Sequence, residues 1–185
     1  MCTTMLTDFQ KKKIARLFQF YDANGNGVIE AEDIDEIAQQ FGQEFGWAIA
    51  SPEDRKFRAT FKQFWRKLIM SVDSNDDQKV NLEEFYAAYE ASLSSEENYE
   101  TLVRPFLDNL FPVIDSDNDG AWSKDDFIKF YRGFRSSSEA AERNFKRLDL
   151  NSDGVLSKEE IYLHFHDFHM SQDEQVAGTV FFGEL

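Results

Sequence analysis

Residues 149–160 read Asp149-Leu150-Asn151-Ser152-Asp153-Gly154-Val155-Leu156-Ser157-Lys158-Glu159-Glu160. Oxygen-bearing side chains stand at the first, third and fifth places, and a carboxylate closes the segment at the twelfth. In a tight loop, that alternation aims Asp149, Asn151 and Asp153 at one point. Gly154 at the sixth place permits the positive φ that such a turn needs. The Val155 carbonyl adds an oxygen, Ser157 acts through water, and Glu160 reaches back from the start of the next helix. A cage of that kind suits a hard divalent cation. Calcium takes 6–8 oxygens at about 2.3–2.6 Å.

Three further segments repeat the pattern. Asp22–Asp33 (DANGNGVIEAED) offers Asp22, Asn24, Asn26, the Val28 carbonyl and Asp33. Asp73–Glu84 (DSNDDQKVNLEE) offers Asp73, Asn75, Asp77, the Lys79 carbonyl and Glu84. Asp115–Asp126 (DSDNDGAWSKDD) offers Asp115, Asp117, Asp119, the Ala121 carbonyl and Asp126. The eighth place is apolar each time: Ile29, Val80, Trp122, Leu156. Apolar residues one, four, five and eight places before each opening aspartate form a helical stripe. They are Tyr21, Phe18, Leu17, Ile14; then Val72, Ile69, Leu68, Trp65; then Ile114, Phe111, Leu110, Leu107. The fourth set, Leu148, Phe145, Asn144, Ala141, is weaker. Ile34, Phe85, Phe127 and Ile161 open a second stripe after each loop. Each unit therefore reads helix, acidic loop, helix.

This unit is identified as the EF-hand, whose twelve-residue loop has this ligand order. The expected fold class is all-α: four helix-loop-helix units in two packed pairs, with short β-bridges between paired loops. The four loops are not equal. The fourth is complete. The third and first end on Asp126 and Asp33, one methylene shorter than glutamate, so two-oxygen contact is harder and magnesium becomes an alternative ion there. The first also carries two neutral amides, Asn24 and Asn26, with Glu30 at the ninth place restoring charge. The second has Gln78 where glycine is usual. A non-glycine residue at positive φ costs roughly 1 kcal/mol, which weakens a site without abolishing it. Up to four Ca2+ ions are expected, with Mg2+ in the first and third loops as the variation.

Composition agrees. Against 20 Lys+Arg stand 35 Asp+Glu, a formal net charge of −15 over 185 residues. Such a surface repels nucleic acid and anionic lipid and attracts cations. One cysteine, Cys2, excludes an intramolecular disulfide. No apolar run nears the ~18 residues of a membrane span. The start, Met1 to Asp8, lacks signal-peptide and myristoylation features. A cytoplasmic monomer without a membrane anchor is expected, its protein partner unknown. No catalytic constellation is present, so an enzyme is not expected. His164, His166 and His169 share one helix at spacings that suit a surface better than a zinc site.

The opening aspartates at 22, 73, 115 and 149 leave the longest interval within the first pair. Gly46, Ser51 and Pro52 mark a break there, with Pro52 suited to a first helical turn. Two units follow: residues 1–92 with loops 22–33 and 73–84, and residues 99–185 with loops 115–126 and 149–160. Ser92–Tyr99 is a polar connector. The tail, 176–185, is apolar, and Val180, Phe181, Phe182 and Leu185 are expected to pack back between the halves.

Asp8-Phe9-Gln10-Lys11-Lys12-Lys13-Ile14, the long first interval, the second loop without glycine and the ending Gly178-Thr179-Val180-Phe181-Phe182-Gly183-Glu184-Leu185 resemble the sarcoplasmic calcium-binding protein, calexcitin and calerythrin group. The resemblance implies a four-handed protein with its halves packed together and two or three working loops, the non-glycine second loop among those that often bind. It implies a calcium buffer first, a calexcitin-like sensor signalling to a protein partner second, and a luciferin-binding protein or photoprotein third. Composition favours the buffer: phenylalanines number 19 and methionines 4, and sensors that open use flexible methionine-rich grooves.

Overall fold

The computed structural model describes residues 6–73 and 76–185, leaving aside the side chains of 68, 69 and 71. Cys2, Asn75 and the stripe side chains of Leu68 and Ile69 therefore lie outside the described residues. Helix α1 (Asp8–Tyr21) opens on Thr7, which forms a reciprocal capping box with Gln10. Strand β1 (Val28–Ile29) and helix α2 (Ala31–Phe45) follow, and Gly46 closes α2 in the left-handed conformation, φ 68°. Helix α3 (Pro52–Val72) starts on its proline, where the missing N–H is not needed. Strand β2 (Val80–Asn81) and helix α4 (Leu82–Ser92) complete the second unit.

The connector is more ordered than its polar composition suggests. Ser95 caps a short helix α5 (Glu96–Asn98), which runs through a π-helical turn (Tyr99–Val103) into α6 (Arg104–Ile114). Tyr99 and Val103 are buried and tie this stretch to the core. Then come β3 (Ala121–Ser123), α7 (Lys124–Gly133), α8 (Ser138–Leu148), β4 (Val155–Ser157), α9 (Lys158–Met170) and a 3₁₀ turn (Ala177–Val180).

The paired loops meet as antiparallel two-stranded ladders. Ile29 lies opposite Val80, and Trp122 opposite Leu156. These eighth-place residues are all 0% exposed, so each ladder plugs its own core. Trp122 also donates its Nε1–H to the Phe111 carbonyl, 3.2 Å, which removes the cost of burying an indole N–H.

Both halves share one apolar core. Phe41 of α2 meets Phe57 at 4.3 Å and Phe134, just past α7, at 5.0 Å between ring centroids. Helices α2 and α7 approach closely because Gly133 has no side chain. A Cβ there would stand 2.4 Å from the Phe41 ring. The tail fills the seam. Phe181 and Phe182 are each 1% exposed. Phe182 touches Phe20 of α1, Phe130 of α7 and Phe168 of α9. Tyr131 donates its hydroxyl to the Val180 carbonyl, 2.8 Å, and accepts from Asn144 Nδ2, 3.0 Å. Asn144, the weak member of the fourth stripe, thus supports the tail's anchor. Leu185 departs from expectation: it is half-exposed, because the chain turns outward at Gly183, φ 107°.

The histidines also depart. His164 and His169 are each 1% exposed, whereas His166 stays at the surface beside Glu96. Helix α9 is covered on two sides, by α1 and by the tail, so the positions two residues before and three residues after His166 both turn inward. His169 stacks on Tyr89, 5.8 Å between ring centroids, and its Nδ1 donates to the Phe165 carbonyl. Burial drives its pKa down from 6.5 to about 3. Lys13 is fully buried as well. Its ammonium donates to the carbonyls of Asp167 and Ser171, at the C-terminal end of α9, and burial lowers its pKa to about 8.

Candidate metal centres

Each loop is built by the same local chemistry. The first carboxylate accepts backbone N–H groups from the fifth and sixth places. Asp22 accepts from Asn26 and Gly27, both 3.0 Å. Asp73 accepts from Asp77, 3.2 Å, and Gln78, 2.8 Å. Asp115 accepts from Asp119, 3.1 Å, and Gly120, 3.0 Å. Asp149 accepts from Gly154, 3.0 Å. The fifth-place side chain accepts from the seventh N–H: Asn26 from Val28, Asp77 from Lys79, Asp119 from Ala121 and Asp153 from Val155. That bond orients the peptides of Val28, Lys79, Ala121 and Val155, the seventh-place residues. The third-place oxygens of Asn24, Asp117 and Asn151 accept from the fifth N–H. Asn75, the third-place residue of the second loop, is outside the described residues.

The twelfth carboxylate closes the loop. Asp33, Asp126 and Glu160 each bond the loop's entry with one oxygen and the ninth-place N–H with the other. The entry partners are the Asn24 N–H, the Ser116 hydroxyl and the Leu150 N–H. The ninth-place partners are Glu30, Ser123 and Ser157. Glu84 holds the Asn81 N–H in the same way. The ninth residue is therefore the N-cap of its exit helix, and the Ser157 hydroxyl accepts the Glu160 N–H.

Two backbone positions per loop take positive φ. At the sixth place Gly27, Gly120 and Gly154 lie at 87°, 90° and 88°, while Gln78 lies at 59°. Gln78 has slipped into the small left-handed well open to L-residues. The fourth place is left-handed in every loop: Gly25, Asp76, Asn118 and Ser152. Sequence reasoning missed this second strained position. Its composition, drawn from Gly, Asp, Asn and Ser, carried the signal.

The donor set fits a cation. Carboxylate oxygens of Asp115, Asp117 and Asp119 come within 4.8 Å of one another. Oδ1 of Asp149 is buried with no hydrogen-bond partner, and an orphaned carboxylate oxygen among other acceptors is compensated by a metal ion. Burial raises the pKa of Asp33, and that of Asp115, where Asp119 and Asp117 add repulsion. Lys79 was counted only for its carbonyl. Its ammonium crosses the N-terminal ladder to Glu30, 2.9 Å, and this bond holds the Glu30 carboxyl below its ordinary pKa.

Family models described as an EF-hand domain pair match residues 11–90 and again residues 107–133. A third, described as an EF hand, matches residues 143–164. The chain belongs to the EF-hand family. It is a calcium-binding EF-hand protein related to calerythrin and to sarcoplasmic calcium-binding proteins. Calerythrin of Saccharopolyspora erythraea is 24% identical over 181 residues, spanning 96% of this chain and 100% of that protein. Sarcoplasmic calcium-binding proteins I, III and IV of Branchiostoma lanceolatum are 28% identical over 137 residues, 70% of this chain and 72% of theirs. The calcium-loaded apo form of the coelenterazine-binding protein of Renilla muelleri shares the fold, with a TM-score of 0.76. It is 23% identical and covers 97% of this chain and 100% of its own. Among the described residues, no helix of this EF-hand protein is long and apolar enough to cross a membrane.

Proposed function

We propose that this protein is a calcium buffer, with magnesium as the competing ion in loops 22–33 and 115–126. The twenty oxygen-bearing positions named from the sequence are its ligands, five from each loop. The units 1–92 and 99–185 act as two loop pairs within one cytoplasmic monomer. The observation that carries this reading is the closed core. The exit-helix residues Ile34, Phe85, Phe127 and Ile161 are all buried. Phenylalanines 20, 130, 165, 168, 181 and 182 fill the seam between the halves. A sensor must expose apolar surface on binding, and here α2 and α4 have no loose methionine-lined groove to open.

The filled seam also counts against a luciferin-binding role, because the tail's own rings occupy the centre. A sensor remains the second reading, since the calexcitin resemblance supports it. Calorimetric titration with calcium, repeated at millimolar magnesium, tests the site count and the competition. Binding of an apolar-surface dye with and without calcium tests the role. A buffer leaves dye fluorescence nearly unchanged. A several-fold calcium-induced rise in a folded protein makes it a sensor.

A further inference from the structure

Arg16 stands out in a chain where acids outnumber bases 35 to 20. Lys13, Arg58, Lys79, Arg104 and Lys129 have carboxylate or backbone-carbonyl partners. Among the described residues, Arg16 has none. Its Nε is buried without an acceptor, and Nη1 donates only to the neutral Gln19 Oε1, 3.3 Å. The Gly183 backbone covers the Nε–Nη2 edge: a Cβ at 183 would stand 2.5 Å from Nη2 and 2.8 Å from Nε. What remains is the terminal fork of Nη1 and Nη2. Desolvating a guanidinium without a counter-charge is unfavourable.

Arg16 lines a cavity of about 390 Å³ between α1, α2 and the α7–α8 turn. That volume lies within the range of small-molecule sites, about 300–1,000 Å³. Arg135 also lines it, held by the Ala23 carbonyl and by Glu36. So does the start of the eleven-residue helix α8, where Ser137 Oγ caps the Ala140 N–H and the helix dipole is positive. Phe20, Ile37 and Phe134 supply apolar wall. Asp22, at the opening of the first loop, is the single acidic lining residue. The result is a concavity lined by two guanidiniums and one carboxylate on a protein of net charge −15.

We propose that this cavity binds a small organic oxyanion, a carboxylate or phosphate monoester on a compact apolar body, seated end-on upon the Arg16 fork. A planar fork matches either group with two parallel hydrogen bonds. The α8 N-terminus and Arg135 flank the anion, and its apolar body lies against Phe20, Ile37 and Phe134. The site is separate from the metal cages, so it stands whether the protein buffers or signals.

The test uses the full-length, calcium-saturated protein, in which a metal ion offsets Asp22, with benzoate and phenyl phosphate as probes and benzamide as the neutral control. Two-dimensional ¹⁵N–¹H spectra follow the Arg16 Nε–H and the amides of residues 136–140. Saturable shifts at these positions are expected, with Kd below about 1 mM for one acid or both. The tighter acid identifies the ligand class. Arg16→Met should weaken binding at least about tenfold, and Arg16→Lys, which keeps charge and fold but loses the fork, at least about threefold. No saturation by about 10 mM of either acid, the same shifts with benzamide, or unchanged affinity in Arg16→Lys overturns the proposal.

Discussion

The two loop pairs share one plan and differ in charge. Each combines one loop ending on aspartate with one ending on glutamate. The C-terminal pair, with Asp115, Asp117, Asp119, Asp126, Asp149, Asp153 and Glu160, is dense in carboxylates, and both its loops keep glycine at the sixth place. Its ladder is three residues long on each side, against two in the N-terminal pair. The N-terminal pair substitutes Asn24 and Asn26, strains Gln78 and brings in a cation of its own, Lys79. Ligand charge and rigidity set calcium affinity in such loops, so the contrast implies a tight C-terminal pair and a weaker N-terminal one. The halves are also coupled through rings, and Tyr89 of one stacks on His169 of the other.

Acid should act most strongly, by breaking that coupling. Burial holds the folded His169 at a pKa of about 3, against the ordinary imidazole value of 6.5. The unfolded chain therefore binds more protons between these values. The stability this neutral ring contributes is intact above pH 6.5 and lost progressively as pH falls toward 3. At about 1.4 kcal/mol per unit, the loss by pH 4 reaches roughly 3–4 kcal/mol. Denaturant melts from pH 7 to 4 should show a shallower decline in His169→Phe than in the wild type. Equal slopes remove His169 from the coupling.

Next, Glu160→Gln should remove one tight site, lowering its affinity about 100-fold, or roughly 2.7 kcal/mol. The equivalent Glu84→Gln should act on a weaker one. Calorimetry decides between them, and equal losses from equal starting affinities dissolve the contrast between pairs. Gly133→Ala drives a methyl into Phe41 at the contact between halves and should cost about 1–3 kcal/mol in denaturant melts. An unchanged midpoint shows that α2 and α7 part easily.

Gln78→Gly relieves the left-handed strain and should tighten the second loop about fivefold, roughly 1 kcal/mol. Smallest is Lys79→Gln, which frees Glu30 to face the first loop. It should tighten calcium binding there by about two- to threefold, and more at low salt. No change in either variant means that carboxylate count alone separates the pairs.

The loops and their pairing were readable because the chemistry is local. Ligands two residues apart and a stripe of apolar residues on each flank need only one turn and one helix to acquire meaning. Even the weak fourth stripe was placed correctly, and Asn144 looked weak because its partner, Tyr131, is a tertiary one. Where a residue serves two neighbours at once, the reading failed. His164 and His169 read as peripheral, since the pattern of a single helix shows only one covered face. The burial of Lys13 follows a second stripe on α1, Lys13, Leu17 and Phe20, of which the apolar pattern leading to Asp22 includes only Leu17. Ser92–Tyr99 reads only as a polar connector, because the partners that bury Tyr99, Phe165 and His169 among them, come from elsewhere in the chain.

Order and spacing along the chain suffice for the four acidic loops and their flanking helices, because these depend on neighbours within a dozen residues, and composition suffices for the sign of the molecule's field. They do not suffice for the closure of the two halves on Phe181 and Phe182, the neutral histidine at their seam, the Lys79–Glu30 bridge or the unpaired guanidinium of Arg16. Each of these comes from groups far apart in the chain meeting in a low-dielectric interior or a shared cavity. There the energy of a side chain depends on what covers it.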